Sequence, residues 1–149
     1  MGIFQDEEIK EIYKGFVLND ARCACENVMT IMNRIQNHVG LNSDQYFDVR
    51  IILSELLQNA IKHGNESGSN KKVYMRVYLK GKDALNITIR DQGSGFNAYK
   101  TLQDEMSRQI CDVQDLMECG RGLQIVKCLC DHMNFNRRGN RITVLKRLD

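Results

Sequence analysis

The spacing of apolar residues changes character along the chain, and the changes mark out its elements. After an apolar lead-in at Ile12 to Leu18, the positions Ala21, Cys25, Val28, Met32, Ile35 and Val39 recur every three to four residues. That spacing predicts a helix capped by Asn19 and ended by Gly40. Asn42 and Gln45 then stand three apart, as in a capping box. The helix they open carries Val49, Leu53, Leu56, Leu57, Ala60 and Ile61 on its apolar side and closes at Gly64. The period next drops to two. In "KVYMRVYLK" Val73, Met75, Val77 and Leu79 share one face, and Tyr74, Arg76, Tyr78 and Lys80 share the other. Gly81 to Asp83 supply a turn, and "ALNITIR" places Leu85, Ile87 and Ile89 on the buried face of the next strand. A polar stretch of about thirty residues follows, then a helix from about Gly122 to Met133, then a hairpin of "MNFN" and "RITVLKR" joined around Gly139 and Asn140. The order predicts an α+β fold of two layers, with a mixed, mostly antiparallel sheet covered on one face by about three helices.

Composition narrows this picture. With 149 residues, 42% of them hydrophobic, no proline and no internal repeat, one domain over 1–149 is expected to account for the chain. No run approaches the roughly 18 to 20 apolar residues of a membrane helix, and "MGIFQDEEIK" lacks the layout of a signal peptide, so a cytoplasmic protein without membrane attachment is expected. Asp6 stands where a myristoylation signal needs Ser or Thr. The 21 basic and 19 acidic residues leave a net charge of +2, which argues for no direct nucleic-acid partner. Arg137, Arg138, Arg141, Lys146 and Arg147 gather near the C-terminus and read as the solvated edge of the hairpin. Six cysteines include Cys23-x-Cys25 and Cys128-x-Cys130, but helical i, i+2 spacing points such pairs apart. They are expected to be small buried thiols rather than metal ligands or disulfides.

Three segments carry candidate chemistry. In "SELLQNAIKHGN", Glu55 and Asn59 lie on one helical stripe with Asp48 and Lys62, nearly opposite Leu53, Leu57 and Ala60. Periodicity alone makes that stripe a wet face. His63 near the helix end reads first as a favourable C-terminal cation. Asp91 continues the buried parity of Leu85, Ile87 and Ile89 into a carboxylate, followed at once by "QGSGF". Such a group needs a partner, and a ligand donor or loop amides would each serve. Lastly, "CGRGLQIVK" runs Gly120, Arg121 and Gly122 straight into an amphipathic helix, which presents free amides suited to phosphate, although Gly-x-Gly is also a common turn. Neither a Walker pattern nor a Rossmann fingerprint is present.

The ordered set "ELLQNAIKHGN", "DQGSGF" and "GRGLQIVKCLCDHMNF" resembles the N box and two glycine boxes of the GHKL-type ATPases, whose domain is the Bergerat ATP-binding fold. The "NAIKHGN" ending, "GRGL" and the closing "NRRGNRITVLKRL" most resemble the anti-sigma-factor serine kinases of partner-switching regulation. The resemblance runs from about residue 12 to the C-terminus. It implies ATP and Mg2+ as cofactors, with Asn59 holding the magnesium ion and Glu55 activating the attacking hydroxyl. Asp91 would accept the adenine amino proton, Gly93 and Gly95 would shape the pocket wall, and Gly120, Arg121 and Gly122 would line the phosphates. His63 and Leu123 fall among the nucleotide-contacting positions. Residues 97–119 would be the ATP lid, partly helical through Leu102, Met106 and Ile110, with Lys100, Thr101 and Arg108 as candidates for the γ-phosphate. The implied function is a serine protein kinase that phosphorylates a small antagonist protein and sequesters a sigma factor or similar regulator, in a family whose members often work as dimers. Two rivals are a nucleotide-dependent sequestering module without phosphotransfer, and the ATP domain of a histidine kinase. The second is disfavoured because His38 lacks the acidic neighbour and paired helices of a phosphoacceptor.

Overall fold

The computed structural model describes residues 8–17, 23–65, 72–91, 122–136 and 140–149, with the side chains of 63–65 excepted. Eight elements follow in order: β1 (Ile9–Val17), α1 (Ala24–His38), α2 (Ser43–Asn65), β2 (Val73–Lys80), β3 (Ala84–Asp91), α3 (Gly122–Leu129), β4 (His132–Phe135) and β5 (Arg141–Arg147). The strands form one sheet in the order β1-β2-β3-β5-β4, and every pairing is antiparallel. The α+β, two-layer expectation holds. The sheet is not mixed among the described residues, because each neighbouring pair runs antiparallel.

The period-two faces of β2 fall as the alternation requires, with Val73, Met75, Val77 and Leu79 buried. Ile87 and Ile89 of β3 and Ile142 and Val144 of β5 continue that inner face. Against it pack Val28, Met32 and Ile35 of α1, then Leu53, Leu56, Leu57 and Ile61 of α2, and Leu123 and Val126 of α3. All three helices cover the same side, and the other side of the sheet carries no described element.

Several details depart from the sequence pattern. The lead-in at Ile12 to Leu18 belongs to a strand, β1, whose register shifts between Glu11 and Tyr13. The bulge breaks the alternation that would have announced it. Helix α1 begins at Ala24 with Cys23 at the N-cap and no side-chain cap bond, whereas Asn19 lies outside the described residues. Helix α3 ends at Leu129 rather than Met133, because the Asp131 amide donates to Leu145 O (2.9 Å) and starts the β4–β5 hairpin. The cysteines also differ: Cys25 and Cys128 are exposed, and Cys23 and Cys130 are half-buried and free. An amphipathic helix lets a small thiol sit on its rim as easily as on its buried stripe.

The capping box at the start of α2 is closed in both directions. Gln45 N donates to Asn42 Oδ1 (2.8 Å) and Asn42 N donates to Gln45 Oε1 (3.0 Å). Gln45 Nε2 also donates to Leu148 O (2.7 Å), tying the helix start to the end of the chain. Farther along, Lys146 Nζ of β5 reaches Asp48 Oδ2 (3.2 Å) and Leu129 O (2.7 Å), joining α2, α3 and the sheet at one half-buried ammonium. These ties fix the start of α2 and the end of α3 to the C-terminal end of β5.

Candidate functional site

Helix α2 packs against both β3 and α3, so its two flanks see different neighbours. Ile52, Leu53, Leu56 and Leu57 are fully buried, and that burial fixes the helix rotation. The rotation carries Glu55 toward the N-terminus of α3. A Cβ placed on Gly122 would land on Glu55 Oε2 and lie 3.2 Å from Glu55 Cδ. A side chain at residue 122 would therefore displace the carboxylate.

Glu55 is half-buried, not wet as its helical stripe suggests. Burial raises its carboxyl above the ordinary carboxylate range, because loss of water disfavours the charged form. Asn59, one turn on, is also half-buried. A carboxyl and an amide thus sit at i and i+4 on one flank of α2.

At the end of β3, Asp91 is only 4% exposed, as the continued parity predicts. Its backbone is held by the β4–β5 hairpin. The Asp91 amide donates to Asn140 O (3.0 Å), and Asn140 Nδ2 donates to Asp91 O (3.3 Å). Asn136 in turn organises that hairpin: its Oδ1 accepts from the amides of Asn140 (3.0 Å) and Arg141 (3.1 Å), and its Nδ2 donates to Asn140 Oδ1 (2.6 Å). Asn136 was not singled out by the sequence. The signal was available in two asparagines bracketing a glycine, the side-chain chemistry of a turn.

The predicted residues separate into three groups. Glu55 and Gly122 meet where α2 contacts α3, Asn59 stands one turn from Glu55 on α2, and Asp91 ends the strand against which α2 also packs. Leu123 is 2% exposed within the core, so what it can offer a ligand is its backbone amide. The side chain of His63, together with Gly93, Gly95, Gly120, Arg121, residues 97–119, Lys100, Thr101 and Arg108, lies outside the described residues.

Among the described residues no group of three or more His, Cys, Asp or Glu side chains could hold a metal ion. The donor set at α2 is one carboxylate and one amide. That is too little for an all-protein cage, and it suits a hard cation that keeps most of its ligands from phosphate and water.

A cavity of about 540 Å³ lies elsewhere, between α1 and α2, lined by Ala24, Val28, Met29, Arg50, Ser54 and Lys62 among others. It contains none of the predicted site residues. Among the described residues, the α2–α3 contact brings a raised carboxyl against a closely approached glycine, and it is the candidate site.

No helix among the described residues is long and apolar enough to cross a membrane. Comparison with known proteins agrees with the motif order. The histidine kinase-like ATPase domain matches residues 19–146. An anti-sigma F factor of Anoxybacillus flavithermus is 26% identical over 103 residues, covering 69% of this chain and 68% of that protein. One of Priestia megaterium is 31% identical over 91 residues, 60% of this chain and 59% of its own length. A serine-protein kinase RsbW of Staphylococcus aureus is 25% identical over 118 residues, 77% of this chain and 74% of the kinase. The matched region takes in α1 through β5, with the Glu55 to Gly122 contact and Asp91 inside it, and the chain belongs to the family of histidine kinase-like ATPase domains.

Proposed function

We propose that the protein is an ATP-dependent serine protein kinase of the anti-sigma type. It would bind a sigma factor or similar regulator in the cytoplasm and phosphorylate a serine on a small antagonist protein. The observation that carries this reading is the placement of the Glu55 carboxylate where a side chain at 122 would otherwise stand, one turn before Asn59. Relatives named anti-sigma F factor and serine-protein kinase support it.

ATP bound with Mg2+ would supply the phosphoryl group. The chain's own residues would do the rest. Asn59 would lend its amide oxygen to the cation, and the amides opening α3 would face phosphate oxygens. Asp91 would accept from the adenine amino group. Glu55 would take the proton from the serine hydroxyl as its oxygen attacks the γ-phosphorus and the bond to the β-phosphate oxygen breaks. The raised Glu55 carboxyl fits that duty, since a base of higher pKa accepts a proton more readily. Removing a general base of this kind costs about 10²- to 10⁴-fold in rate.

The test is phosphate transfer from labelled ATP to a small antagonist-type protein that carries an exposed serine. Transfer by the wild type that falls at least about a hundredfold in Glu55→Gln is expected. Absence of transfer by the wild type, or undiminished transfer by Glu55→Gln, overturns the assignment. Full regulator control by that variant would instead support a sequestering module.

A further inference from the structure

The side of the sheet away from the helices has a composition the net charge of +2 conceals. The registers of adjacent strands define rows that cross it. One row runs Phe16, Tyr74, Arg90, Arg141, and the next runs Lys14, Arg76, Thr88, Thr143, Asn134. A third runs Glu11, Tyr78, Asn86, Leu145, His132. These rows hold four cations, Lys14, Arg76, Arg90 and Arg141, against one carboxylate, Glu11.

Of these four, Arg76 alone is hydrogen-bonded to a carboxylate among the described residues, its Nε and Nη2 donating to the two Glu11 oxygens at 2.9 and 3.0 Å, and Lys14 also acts on Glu11 through its charge. That pairing lowers the Glu11 carboxyl and consumes the one anion of the face. Arg90 and Arg141 are exposed and directly opposite one another. Like charges in that relation destabilise a sheet. An anion bound between them would relieve the repulsion.

The two guanidinium groups border a concavity of about 250 Å³ whose lining is completed by Tyr74, Arg76, Thr88 and Thr143. Arg90 lies over an aromatic face, 5.2 Å from the Tyr74 ring centroid, and the neighbouring Arg76 lies 4.3 Å from that of Tyr78. Forked donors already oriented by stacking lose little freedom on meeting a carboxylate. The neighbouring Phe16, 54% exposed and edge-on to Tyr74, adds an apolar contact to the rim. Aromatic residues mixed with arginine typify the energetic centre of a protein interface.

We propose that this sheet face, covered by no described element, docks an acidic segment of a protein partner, with an Asp or Glu side chain seated between Arg90 and Arg141. The face lies on the opposite side of the sheet from the helices that carry Glu55, Asn59 and Gly122. A second copy of this chain is a poorer occupant. Two-fold packing of the face on itself would bring arginines toward arginines, with Glu11 already committed.

The test is fluorescence anisotropy of labelled decaglutamate, set beside a ten-nucleotide single strand of DNA, with sedimentation of the protein alone. The proteins are the wild type, Arg90→Gln with Arg141→Gln, and Lys10→Gln with Lys82→Gln, which removes the same charge elsewhere. Decaglutamate should bind the wild type, weaken with salt, and weaken about tenfold or more in the arginine variant while the lysine variant stays within about twofold. The arginine variant should melt at or above the wild-type temperature, which separates lost docking from lost folding. Its ATP binding should match the wild type, so a failure here is distinct from a failure of the kinase reading. Absence of peptide binding, equal weakening in both variants, tighter binding of the oligonucleotide, or a dimer abolished by the arginine changes overturns the proposal.

Discussion

Gly122→Ala separates stability from catalysis at one atom. The added methyl would clash with Glu55 Oε2, so the carboxylate must retreat by roughly 1 Å to reach a tolerable contact. Gly122 has no positive φ, and its backbone accepts alanine. The obstructed atom is the far end of a flexible side chain. Rotating it off its rotamer costs about 0.5–1.5 kcal/mol, and replacing glycine by alanine in a helix returns about 0.5–1 kcal/mol. Net stability should therefore change by less than about 1 kcal/mol, a melting shift within roughly 4 °C for a chain of this size. Phosphotransfer is a different matter, because a displacement of about 1 Å at a catalytic group costs on the order of a hundredfold. Thermal melting and single-turnover transfer from labelled ATP read the two effects independently. Adding Glu55→Gln to Gly122→Ala should lower the rate little further, since both act through one carboxylate. Transfer within about threefold of wild type, or a melting loss of about 10 °C, would refute this account of the Gly122 contact.

Other expectations follow from single contacts. Burial raises the Glu55 carboxyl, so folding favours its protonated form: that stabilisation is complete below the unfolded value and is lost as pH rises through the folded one. Glu55→Gln, uncharged throughout, should melt above wild type near neutral pH, with the gap closing toward about pH 4 in a melting series. The wild-type transfer rate should rise with pH through that same raised carboxyl, and the residual rate of the variant should not. Asn42→Ala opens the reciprocal capping box of α2 and should cost about 1 kcal/mol in urea unfolding. Lys146→Met leaves Leu129 O without its donor and unpairs Asp48, and about 1–3 kcal/mol should be lost in the same measurement.

Sequence pattern revealed elements that obey a single period and concealed those that do not. The alternation of β2 announced its strand, and the Asn42–Gln45 box announced where α2 starts. Strand β1 was hidden because a bulge interrupts its register and its outward Phe16 is as apolar as its inward Val17. Asp91 was legible as buried from parity. Glu55 was not, because its burial comes from the start of α3, some 67 residues away in sequence, and no local periodicity records such a neighbour. The motif order bridged that distance, bringing "ELLQNAIKHGN" and "GRGL" together before any coordinates did. The charged outer face went unread for a similar reason. Arg90 and Arg141 are cross-strand neighbours that net charge averages away.

The central claim is that α2, the end of β3 and the start of α3 form one adenine-nucleotide pocket. Calorimetric titration of ATP and GTP, each with Mg2+, into the wild type and Asp91→Asn tests it most directly. An Asp91 carboxylate that accepts from the adenine amino group meets a carbonyl in guanine, acceptor against acceptor. One ATP per chain should bind the wild type, with GTP weaker by about a hundredfold or more, and Asp91→Asn should lose most of that preference. Equal affinity for the two nucleotides, or an ATP preference untouched in a folded Asp91→Asn, would contradict the account.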